Sequence, residues 1–433
     1  MIFSGKGRIN LKGHKELTDQ KSPEVINDFE YVYLPLMNMD CTDFEVLVKE
    51  EDYVKQGQLI AYRKDKFYVP IFSSVSGTVE GIEKMMSANL KYAQHIKIKN
   101  DFKYEKEERD TSLSLDKAQP QDIIEGIKQA GICGNGGSGF PTYIKFTSDC
   151  HFDYVLINGV ECEPYITIDY HLMKAYMEEL ILGLKFMMKA CGAKNGVIAF
   201  KEGKETLLSL AKEATKDIDN IEIREVPDVY PMGWERTLIK EVFNLRYDKL
   251  PSEIGLIVNN STTAIQIGQT FNNKQSFVTG ITLSGEALEN PTNVIIPIGA
   301  KVADVIEKTG GYKNDVSATN ARLIMGGPMM GTCVVSDDVA FNSYSNAVNV
   351  LYDEGLREKP CLRCSRCVEY CPSGLQSVAI KDAEKAQDVK QLEKLRADTC
   401  VSCGLCSYIC PSCIPVSDFT TKGKKRLLSS KTK

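Results

Sequence analysis

The chain has 433 residues, a formal net charge of −5 and 43% hydrophobic residues. A net negative charge argues against a nucleic-acid-binding protein, because such proteins carry an excess of Lys and Arg. The best candidate for a membrane span, Leu180 to Met188, is interrupted by Gly183 and Lys185, so no transmembrane helix is predicted.

A chain of this length is expected to form about three to four domains. Residues Met1 to Lys15 contain charges and glycines instead of the apolar core of a signal peptide. Together with 15 cysteines and 13 methionines, this indicates a reducing compartment. We therefore expect a cytoplasmic protein, either soluble or peripherally attached to the inner face of the membrane.

The first hundred residues have the pattern of a β-domain. Short strands are predicted at Tyr31 to Leu36, Phe44 to Val48, Tyr68 to Ile71 and Val75 to Ile82, with glycine turns between them. The pattern resembles barrel-sandwich domains that carry a lipoyl or biotinyl lysine. The turn where that lysine would lie reads Ser74-Val-Ser76, so a structural role is expected instead of a carrier role.

A glycine-rich loop follows the next predicted helix. Ile123, Ile124 and Ile127 recur at helical spacing, and the helix is expected to end at Gly131. The loop reads Gly134-Asn-Gly-Gly-Ser-Gly-Phe-Pro-Thr142, and its closely spaced glycines let backbone N–H groups converge on a phosphate. Its G-x-G-x-x-G spacing is not a dinucleotide fingerprint, which must follow a strand. A tight structural loop is the alternative interpretation.

Predicted strands and helices alternate after this loop, which indicates an α/β domain. One buried strand, Asp153 to Ile157, leads into an acidic loop from Asn158 to Pro164. Ligands of open α/β sheets bind beyond the carboxyl ends of the strands, so the carboxylates of this loop are placed to meet a ribose, a flavin ring or a nicotinamide. A solvated acidic loop is the alternative. Polar clusters also follow strand-like sequence at Tyr230 to Arg236 and Asn259 to Thr263.

The intervening segments continue the alternation of helices and strands. A long helix, a strand, a second helix and a second strand are predicted at Tyr170 to Cys191, Gly196 to Phe200, Glu205 to Lys216 and Ile221 to Val226. Cys133, beside the glycine loop, is expected to be a buried packing thiol, with a redox-active thiol as the alternative.

Two cysteine runs near the C-terminus carry the strongest signal. In the spacing of bacterial [4Fe-4S] sites, three close thiolates hold one cluster and a fourth cysteine before a proline ligates the other cluster. Structural zinc needs no third cysteine at the same short interval, and disulfides need an oxidising compartment. The predicted ligands of one cluster are Cys361, Cys364, Cys367 and Cys410, and those of the other are Cys400, Cys403, Cys406 and Cys371.

These pieces together resemble the RnfC subunit of the Rnf-type electron transport complex, a family related to the flavin-bearing NADH-binding subunit of respiratory complex I. The resemblance covers nearly the whole chain, and Gln275 to Gly331 is similar to that family's β-grasp domain. It implies an α/β multidomain protein with four parts: a barrel-sandwich β-domain (1–110), a Rossmann-like FMN/NADH-binding α/β domain (111–270), a soluble-ligand-binding β-grasp domain (271–345) and a helical ferredoxin-like domain with two [4Fe-4S] clusters (346–433).

The resemblance also implies roles for individual residues. Glu161 and Glu163 would be catalytic carboxylates facing the nicotinamide nucleotide, and Phe140 would stack on its base. The remaining cofactor contacts, mainly to FMN, would be Gly134, Gly136, Gly137, Gly139, Lys145, Asn158, Tyr230, Gly233, Glu235, Asn259 and Asn260.

A function follows from electron counting. NADH gives up two electrons as one hydride while each cluster takes one electron, so FMN would stand between them. We expect electron transfer between NAD(H) and a partner redox protein or membrane electron-transport complex. The NADH-binding protein of complex I has an aspartate where Val160 stands, and Gly7 to Gly13 and Leu36 to Asp40 depart from the RnfC pattern. The alternative is therefore a relay or docking subunit of a soluble reductase, of the proline reductase or cobalamin reductase type, without NADH chemistry of its own.

A basic segment follows the second cysteine run. Its cations are expected to be solvated, with docking to an acidic partner or a lipid surface as the alternative. They are Lys422, Lys424, Lys425 and Arg426.

Overall fold

The structure, a computed structural model, describes residues 7–137, 139–148 and 150–431. Ser138 of the predicted glycine loop lies outside the described residues. The chain forms two small antiparallel sheets, one parallel sheet, one mixed six-stranded sheet and a helical C-terminal part. Within the described ranges, no helix combines the length and the hydropathy that crossing a bilayer requires.

The N-terminal part is built from short strands, all but the first of which enclose one apolar core. The strands are β1 (Glu24–Val25), β2 (Tyr31–Pro35), β3 (Phe44–Val46), β4 (Tyr53–Val54), β5 (Leu59–Arg63), β6 (Val69–Phe72), β7 (Gly77–Met86) and β8 (Tyr92–Asn100). One sheet has the order β2-β8-β7-β4 and the other β3-β5-β6. Val32, Leu34, Ile60 and Ile96 are fully buried between them, as the alternating strand pattern predicts.

The turn at Ser74 is an interdomain contact. Ser74 is fully buried, and its hydroxyl donates a hydrogen bond of 2.6 Å to the carbonyl of Ile298. A lysine on this turn could not swing into solvent, which agrees with the structural role predicted for this domain.

The α/β part is a four-stranded parallel sheet between helices. Its elements are α1 (Pro120–Gln129), β9 (Tyr154–Gly159), α2 (Ile168–Ala175), α3 (Met177–Cys191), β10 (Asn195–Lys201), α4 (Glu205–Thr215), β11 (Ile221–Val226), α5 (Glu235–Phe243), β12 (Leu256–Asn260) and α6 (Ser261–Phe271). The strand order is β11-β10-β9-β12. Both faces of the sheet are covered, so β9, β10 and β12 are mostly apolar, whereas the edge strand β11 exposes its charged residues.

Helices α3 and α6 cross at glycines. A Cβ atom on Gly183 would lie 1.9 Å from the carbonyl oxygen of Ala264, and one on Gly268 would lie 1.9 Å from that of Glu179. Only glycine permits this backbone approach. The crossing fixes the start of α6, where two of the predicted cofactor residues lie.

The predicted helix from Tyr170 to Cys191 is divided in two. Tyr176 leaves the helical conformation, with φ −129° and ψ 39°, and separates α2 from α3. The prediction of one continuous helix was therefore wrong. It failed because the apolar periodicity on which it rested continues across the break.

The third part is a six-stranded mixed sheet with one helix. Its elements are β13 (Val278–Ser284), β14 (Thr292–Pro297), α7 (Val302–Lys308), β15 (Ala321–Met325), β16 (Thr332–Val334) and β17 (Ala347–Tyr352). The order is β1-β14-β13-β17-β15-β16, so the N-terminal strand β1 completes this sheet. The C-terminal part contains α8 (Arg366–Glu369), α9 (Ser377–Lys385), α10 (Val389–Lys394), α11 (Leu405–Tyr408) and α12 (Val416–Lys431).

Candidate functional site

The eight cysteines of the two runs line two separate cavities in the C-terminal part. One cavity is lined by the outer quartet: Cys361, Cys364, Cys367 and Cys410. The other is lined by the inner quartet: Cys371, Cys400, Cys403 and Cys406. The chain thus crosses over as the spacing predicts, because the fourth cysteine of each run lies with the three close cysteines of the other.

The chemistry of the quartets fits iron-sulfur clusters. Burial, with Cys371 and Cys400 nearby, raises the pKa of the Cys403 thiol to about 12, and metal binding would displace the proton of this thiol. Among the described residues, no three metal-ligating side chains are grouped so as to hold a single ion. Zinc sites draw their ligands to ~2.3 Å from one ion, whereas a four-iron cluster needs a wider cage. The ligand assignments themselves stay predictions.

The two quartets differ in exposure. Cys371, Cys400 and Cys403 of the inner quartet are buried, whereas Cys364 of the outer quartet is exposed. Leu362, inside the outer run, exposes 69% of its surface. The outer quartet therefore faces solvent and the inner quartet faces the rest of the protein.

The glycine loop lies between the start of α6 and the loop before β17. The N–H of Asn135 donates to the hydroxyl of Thr263 at 3.1 Å, and that of Gly136 donates to the carbonyl of Tyr344 at 3.1 Å. Gly136 has φ +63°, and a Cβ there would lie 2.8 Å from the Asn346 amide nitrogen. The loop thus needs glycine at this position, and the exposed Gly137 next to it is open to a ligand.

Buried polar atoms without partners surround this loop. Asn135 is 7% exposed and Ser261, the first residue of α6, is fully buried. The Asn135 side-chain carbonyl and the Ser261 hydroxyl have no hydrogen-bond partner among the described residues. Such groups are costly to bury unless a ligand satisfies them, so the site fits a polar group such as the flavin phosphate or ribityl chain. Neither residue was predicted, because neither shows a signal in the sequence beyond its motif.

Lys145 and Asn259 contact each other at the end of β12. The Lys145 ammonium donates to the side-chain oxygen of Asn259 at 3.0 Å and to the carbonyl of Val258 at 2.6 Å. Burial lowers the pKa of Lys145. Asn260, next along the strand, accepts from the N–H of Thr262 at 2.7 Å and caps α6. The structure therefore brings these three predicted residues together beside the glycine loop.

The acidic loop packs against the predicted cluster at Tyr230 to Arg236. Asn158 donates from its amide to the carbonyl of Gly233 at 2.8 Å, and the Cys162 sulfur lies 3.0 Å from where a Cβ of Gly233 would be. Glu235, at the start of α5, accepts from the Tyr247 hydroxyl at 2.5 Å. The polar clusters after β9 and β11 therefore meet at one edge of the sheet, as parallel strands require.

Both carboxylates predicted to be catalytic are engaged by protein groups. Glu161 accepts from the N–H of Asp169 at 2.8 Å and from the Lys15 ammonium at 3.4 Å, and its side chain is 8% exposed. Glu163 accepts from the N–H of Met329 at 3.0 Å. Burial raises the pKa of each carboxyl to about 7. Lys15 and Asp169 were not predicted, and no motif marks them.

Tyr230 links the α/β part to the inner quartet. It is 1% exposed, its hydroxyl donates to the carbonyl of Cys403 at 2.7 Å, and the same oxygen lies 3.4 Å from Glu163. Its polar atom is thus directed at the inner quartet.

Phe140 stacks edge-on to Phe67 with ring centroids 5.7 Å apart, so a nucleotide base would meet a pair of rings.

Two further predictions have clear outcomes. Cys133 is buried, and burial raises the pKa of its thiol to about 12, which agrees with a packing role. The basic segment is part of α12 and is not wholly solvated: Lys424 donates to the carbonyl of Cys400 at 2.6 Å, and Arg426 pairs with Glu384 at 2.7 Å. That expectation was wrong for these two cations, because the helix packs against the inner quartet.

Four known domain families match successive parts of the chain. Residues 3–103 match the RnfC barrel sandwich hybrid domain, 127–269 the Nuo51 FMN-binding domain, 281–332 the SLBB domain and 360–414 the 4Fe-4S dicluster domain. The chain thus carries an FMN-binding domain and a domain for two [4Fe-4S] clusters, which confirms the predicted fold class and these cofactors. The limits proposed for the four domains stay predictions.

A solved structure shares part of this fold. A chain of an NAD⁺-reducing [NiFe]-hydrogenase in the air-oxidised state aligns with a TM-score of 0.50 and 18% identity, covering 75% of this chain and 69% of that chain. At this identity the likeness concerns the fold alone.

Two RnfC subunits are similar to this protein along most of its chain. The one from the ion-translocating oxidoreductase complex of Rhodobacter capsulatus is 30% identical, over 90% of this chain and 76% of that protein. The one from the Na⁺-translocating ferredoxin:NAD⁺ oxidoreductase complex of Acetobacterium woodii is 30% identical, over 87% of this chain and 86% of that protein. This identity over most of both chains shows that the protein belongs to the RnfC family of ion-translocating oxidoreductase complexes.

Proposed function

We propose that the protein transfers electrons between NAD(H) and a partner redox protein or membrane complex through FMN and two [4Fe-4S] clusters. When bound, FMN supplies the exchange between a hydride and single electrons, and each cluster supplies a one-electron site. The observation that carries the proposal is the hydrogen bond from Tyr230 to Cys403. It joins the α/β part that matches an FMN-binding domain to a residue of the inner quartet.

The contacts between the parts support an order of transfer. The inner quartet adjoins the α/β part through Tyr230, and a Cβ on Gly404 would lie 2.5 Å from the carbonyl oxygen of Met329. The outer quartet includes the exposed Cys364. We therefore place the inner cluster next to the flavin and the outer cluster next to the partner. In this order the buried cluster is shielded from solvent oxidants, while the outer one remains within reach of another protein.

The residues at the flavin site would hold and orient the cofactor. The exposed backbone of the glycine loop and the unpartnered groups of Asn135 and Ser261 would bind its polar chain. Lys145 and Asn259 would support the loop from the end of β12. Phe140, paired with Phe67, would meet the base of the nicotinamide nucleotide.

The partner is proposed from the relatives. Both are named as parts of ion-translocating complexes, one of them a ferredoxin:NAD⁺ oxidoreductase. We propose that this chain likewise serves as a peripheral subunit whose outer cluster exchanges electrons with another redox protein.

A second candidate function is a relay or docking subunit of a soluble reductase without NADH chemistry. Two observations favour it. Val160 is 1% exposed and packs in the apolar core beneath the sheet, so it offers no polar contact to a flavin. The carboxylates of Glu161 and Glu163 are already bonded to protein donors.

An anaerobic NADH titration separates the two candidates. The protein is purified without oxygen and should contain about eight irons, as two four-iron clusters require, and one FMN. NADH should bleach the flavin absorbance and reduce both clusters. A preparation that holds the iron but shows no spectral response to NADH would overturn the first function and support the relay.

A further inference from the structure

The segment from Gly7 to Thr18, here called the N-terminal strap, crosses the back of the proposed flavin site. The backbones of Ile9 and Tyr230 exchange two hydrogen bonds of 3.0 and 2.8 Å, and the N–H of Tyr165 donates to the carbonyl of Gly13 at 2.7 Å. Thr18 is fully buried, and its hydroxyl lies 2.8 Å from that of Thr167. The strap is therefore bound along both sides of the acidic loop.

Lys15 is inserted from the strap into the acidic loop. Its ammonium donates to the carbonyl of Glu161 at 2.9 Å, to the carboxylate of Glu161 at 3.4 Å and to the carbonyl of Ile166. The side chains of Lys15 and Glu161 are 15% and 8% exposed. All three donors of the ammonium thus have an acceptor, which is the condition for burying a charge.

A chain of hydrogen bonds continues from Glu161 to the start of α6. The other carboxylate oxygen of Glu161 accepts from the N–H of Asp169 at 2.8 Å. The Asp169 carboxylate accepts from the Asn260 amide at 2.8 Å and from the Thr262 hydroxyl at 2.9 Å. The Asn260 amide nitrogen lies 3.9 Å from the Cβ position of Gly136. Lys15 is therefore connected to the edge of the glycine loop.

Building on the proposed function, we propose that Lys15 is a positioning residue of the flavin site: its ammonium holds Glu161, and through Asp169 it fixes Asn260 beside the glycine loop. The role depends on the positive charge and not only on packing. Lys15 itself touches neither FMN nor the reacting atoms in this proposal.

The charges around Glu161 determine how loss of Lys15 should appear. Three charged groups act on Glu161: Lys15 on the strap, Asp169 on α2 and Lys201 at the end of β10. Lys204, in the turn after β10, acts on Lys15. Burial already raises the pKa of Glu161 to about 7, and Lys15 opposes that rise. In the wild type, Glu161 is therefore ionised and paired with Lys15 mainly above about pH 7, and without Lys15 the pKa of the carboxyl rises further. Loss of Lys15 should thus disturb Asn260 most at the higher pH, where the wild type has the ion pair and the variant has none.

The test measures FMN affinity by fluorescence quenching, with the full-length, cluster-loaded protein after removal of FMN. The variants are K15M, K15R and K15M/E161Q, and K21M is the matched control because Lys21 lies on the surface just after the strap and bonds Asn290 at 2.8 Å. From about pH 6 to about pH 8, the ratio of the Kd of K15M to that of the wild type should grow by about three- to tenfold. K15R and K21M should stay near the wild type at every pH.

The double variant separates charge from packing. K15M/E161Q removes both charges, which a buried pair tolerates better than loss of one partner, so the Kd of this variant should not itself change with pH through position 161. A K15M ratio that is constant over the pH range, or an affinity equal to that of the wild type, would overturn the role of Lys15 alone. A wild-type protein that binds no FMN would overturn the flavin site and this inference with it.

Discussion

The inner and outer quartets and the proposed flavin site are built in different ways. All eight cysteines of the quartets lie between Cys361 and Cys410, and each quartet takes its residues from two short runs. The flavin site combines the strap, the glycine loop, the acidic loop, the segment around Tyr230 and the start of α6. The difference teaches that one site is a local pattern, whereas the other exists only when distant segments meet.

The largest expected effect comes from the local pattern. Cys403→Ser should lower the iron content from about eight to about four per chain, because each cluster needs four ligands, and should reduce NADH-driven reduction of the outer cluster by about a hundredfold. Bound FMN should be unchanged. Iron, acid-labile sulfide and flavin analyses measure this. Cys413→Ser is the control, since Cys413 lines neither cavity; equal iron loss in both variants would contradict the ligand assignment.

A substitution in the proposed flavin site should give the opposite result, a loss of FMN with a normal iron content. Gly136→Ala places a Cβ 2.8 Å from the Asn346 amide at a positive φ, so FMN affinity should fall by about tenfold, the equivalent of ~1–2 kcal/mol of strain, while iron content stays normal. FMN titration measures the change.

Gly192→Ala is the matched control for this variant. Gly192 has φ +71°, and nothing lies within 4 Å of its Cβ position, so the backbone strain is similar but the site is untouched. If both variants lose FMN equally, the loop is not the binding site.

The next variant tests the one hydroxyl that joins the two regions. Tyr230→Phe removes the hydrogen bonds to Cys403 and Glu163, and a lost buried hydrogen bond costs about 1 kcal/mol. Cluster reduction after flavin reduction should slow several-fold, with FMN and iron contents unchanged. Anaerobic stopped-flow spectroscopy measures the rate. Tyr312→Phe, which removes a 2.7 Å bond to Asp337, should leave the rate unchanged; an unaltered rate in Tyr230→Phe would argue against this contact as the route.

The smallest expected effect concerns pH and stability. Burial raises the pKa of Glu163 to about 7, above its value of about 4.3 in the unfolded chain. The folded state therefore binds the proton more tightly, and the stability from Glu163 is lost as the pH rises from about 4.3 through about 7. Glu163→Gln should gain a few degrees in Tm relative to the wild type between about pH 5 and about pH 8. A Tm difference that is constant with pH would contradict the buried carboxyl.

The sequence was most informative where chemistry depends on spacing between near neighbours. The crossover of Cys371 and Cys410 follows from the motif alone, and the cavities group the cysteines as it predicts. The strands of the parallel sheet were also predictable because their apolar runs are bounded by turns. The break at Tyr176 was not predictable, since the apolar pattern runs through it.

Charge pairing across domains left no trace in the sequence. Nothing near Lys15 indicates that it is buried against Glu161, 146 positions away. The cofactor contact expected of Tyr230 stays a prediction, and nothing in the sequence indicates that its hydroxyl bonds Cys403. Such pairings depend on how domains pack, and packing is decided by the shapes of whole surfaces.

The amino-acid sequence by itself determined the domain types and predicted the two cysteine quartets and the glycine-rich loop, because these depend on residue types at short, regular intervals. Only the tertiary structure decided which quartet adjoins the α/β part, which carboxylates are already bonded to protein and which cation holds Glu161. Those properties arise from contacts between segments far apart in the chain, where burial turns a single charge or hydroxyl into a strong constraint.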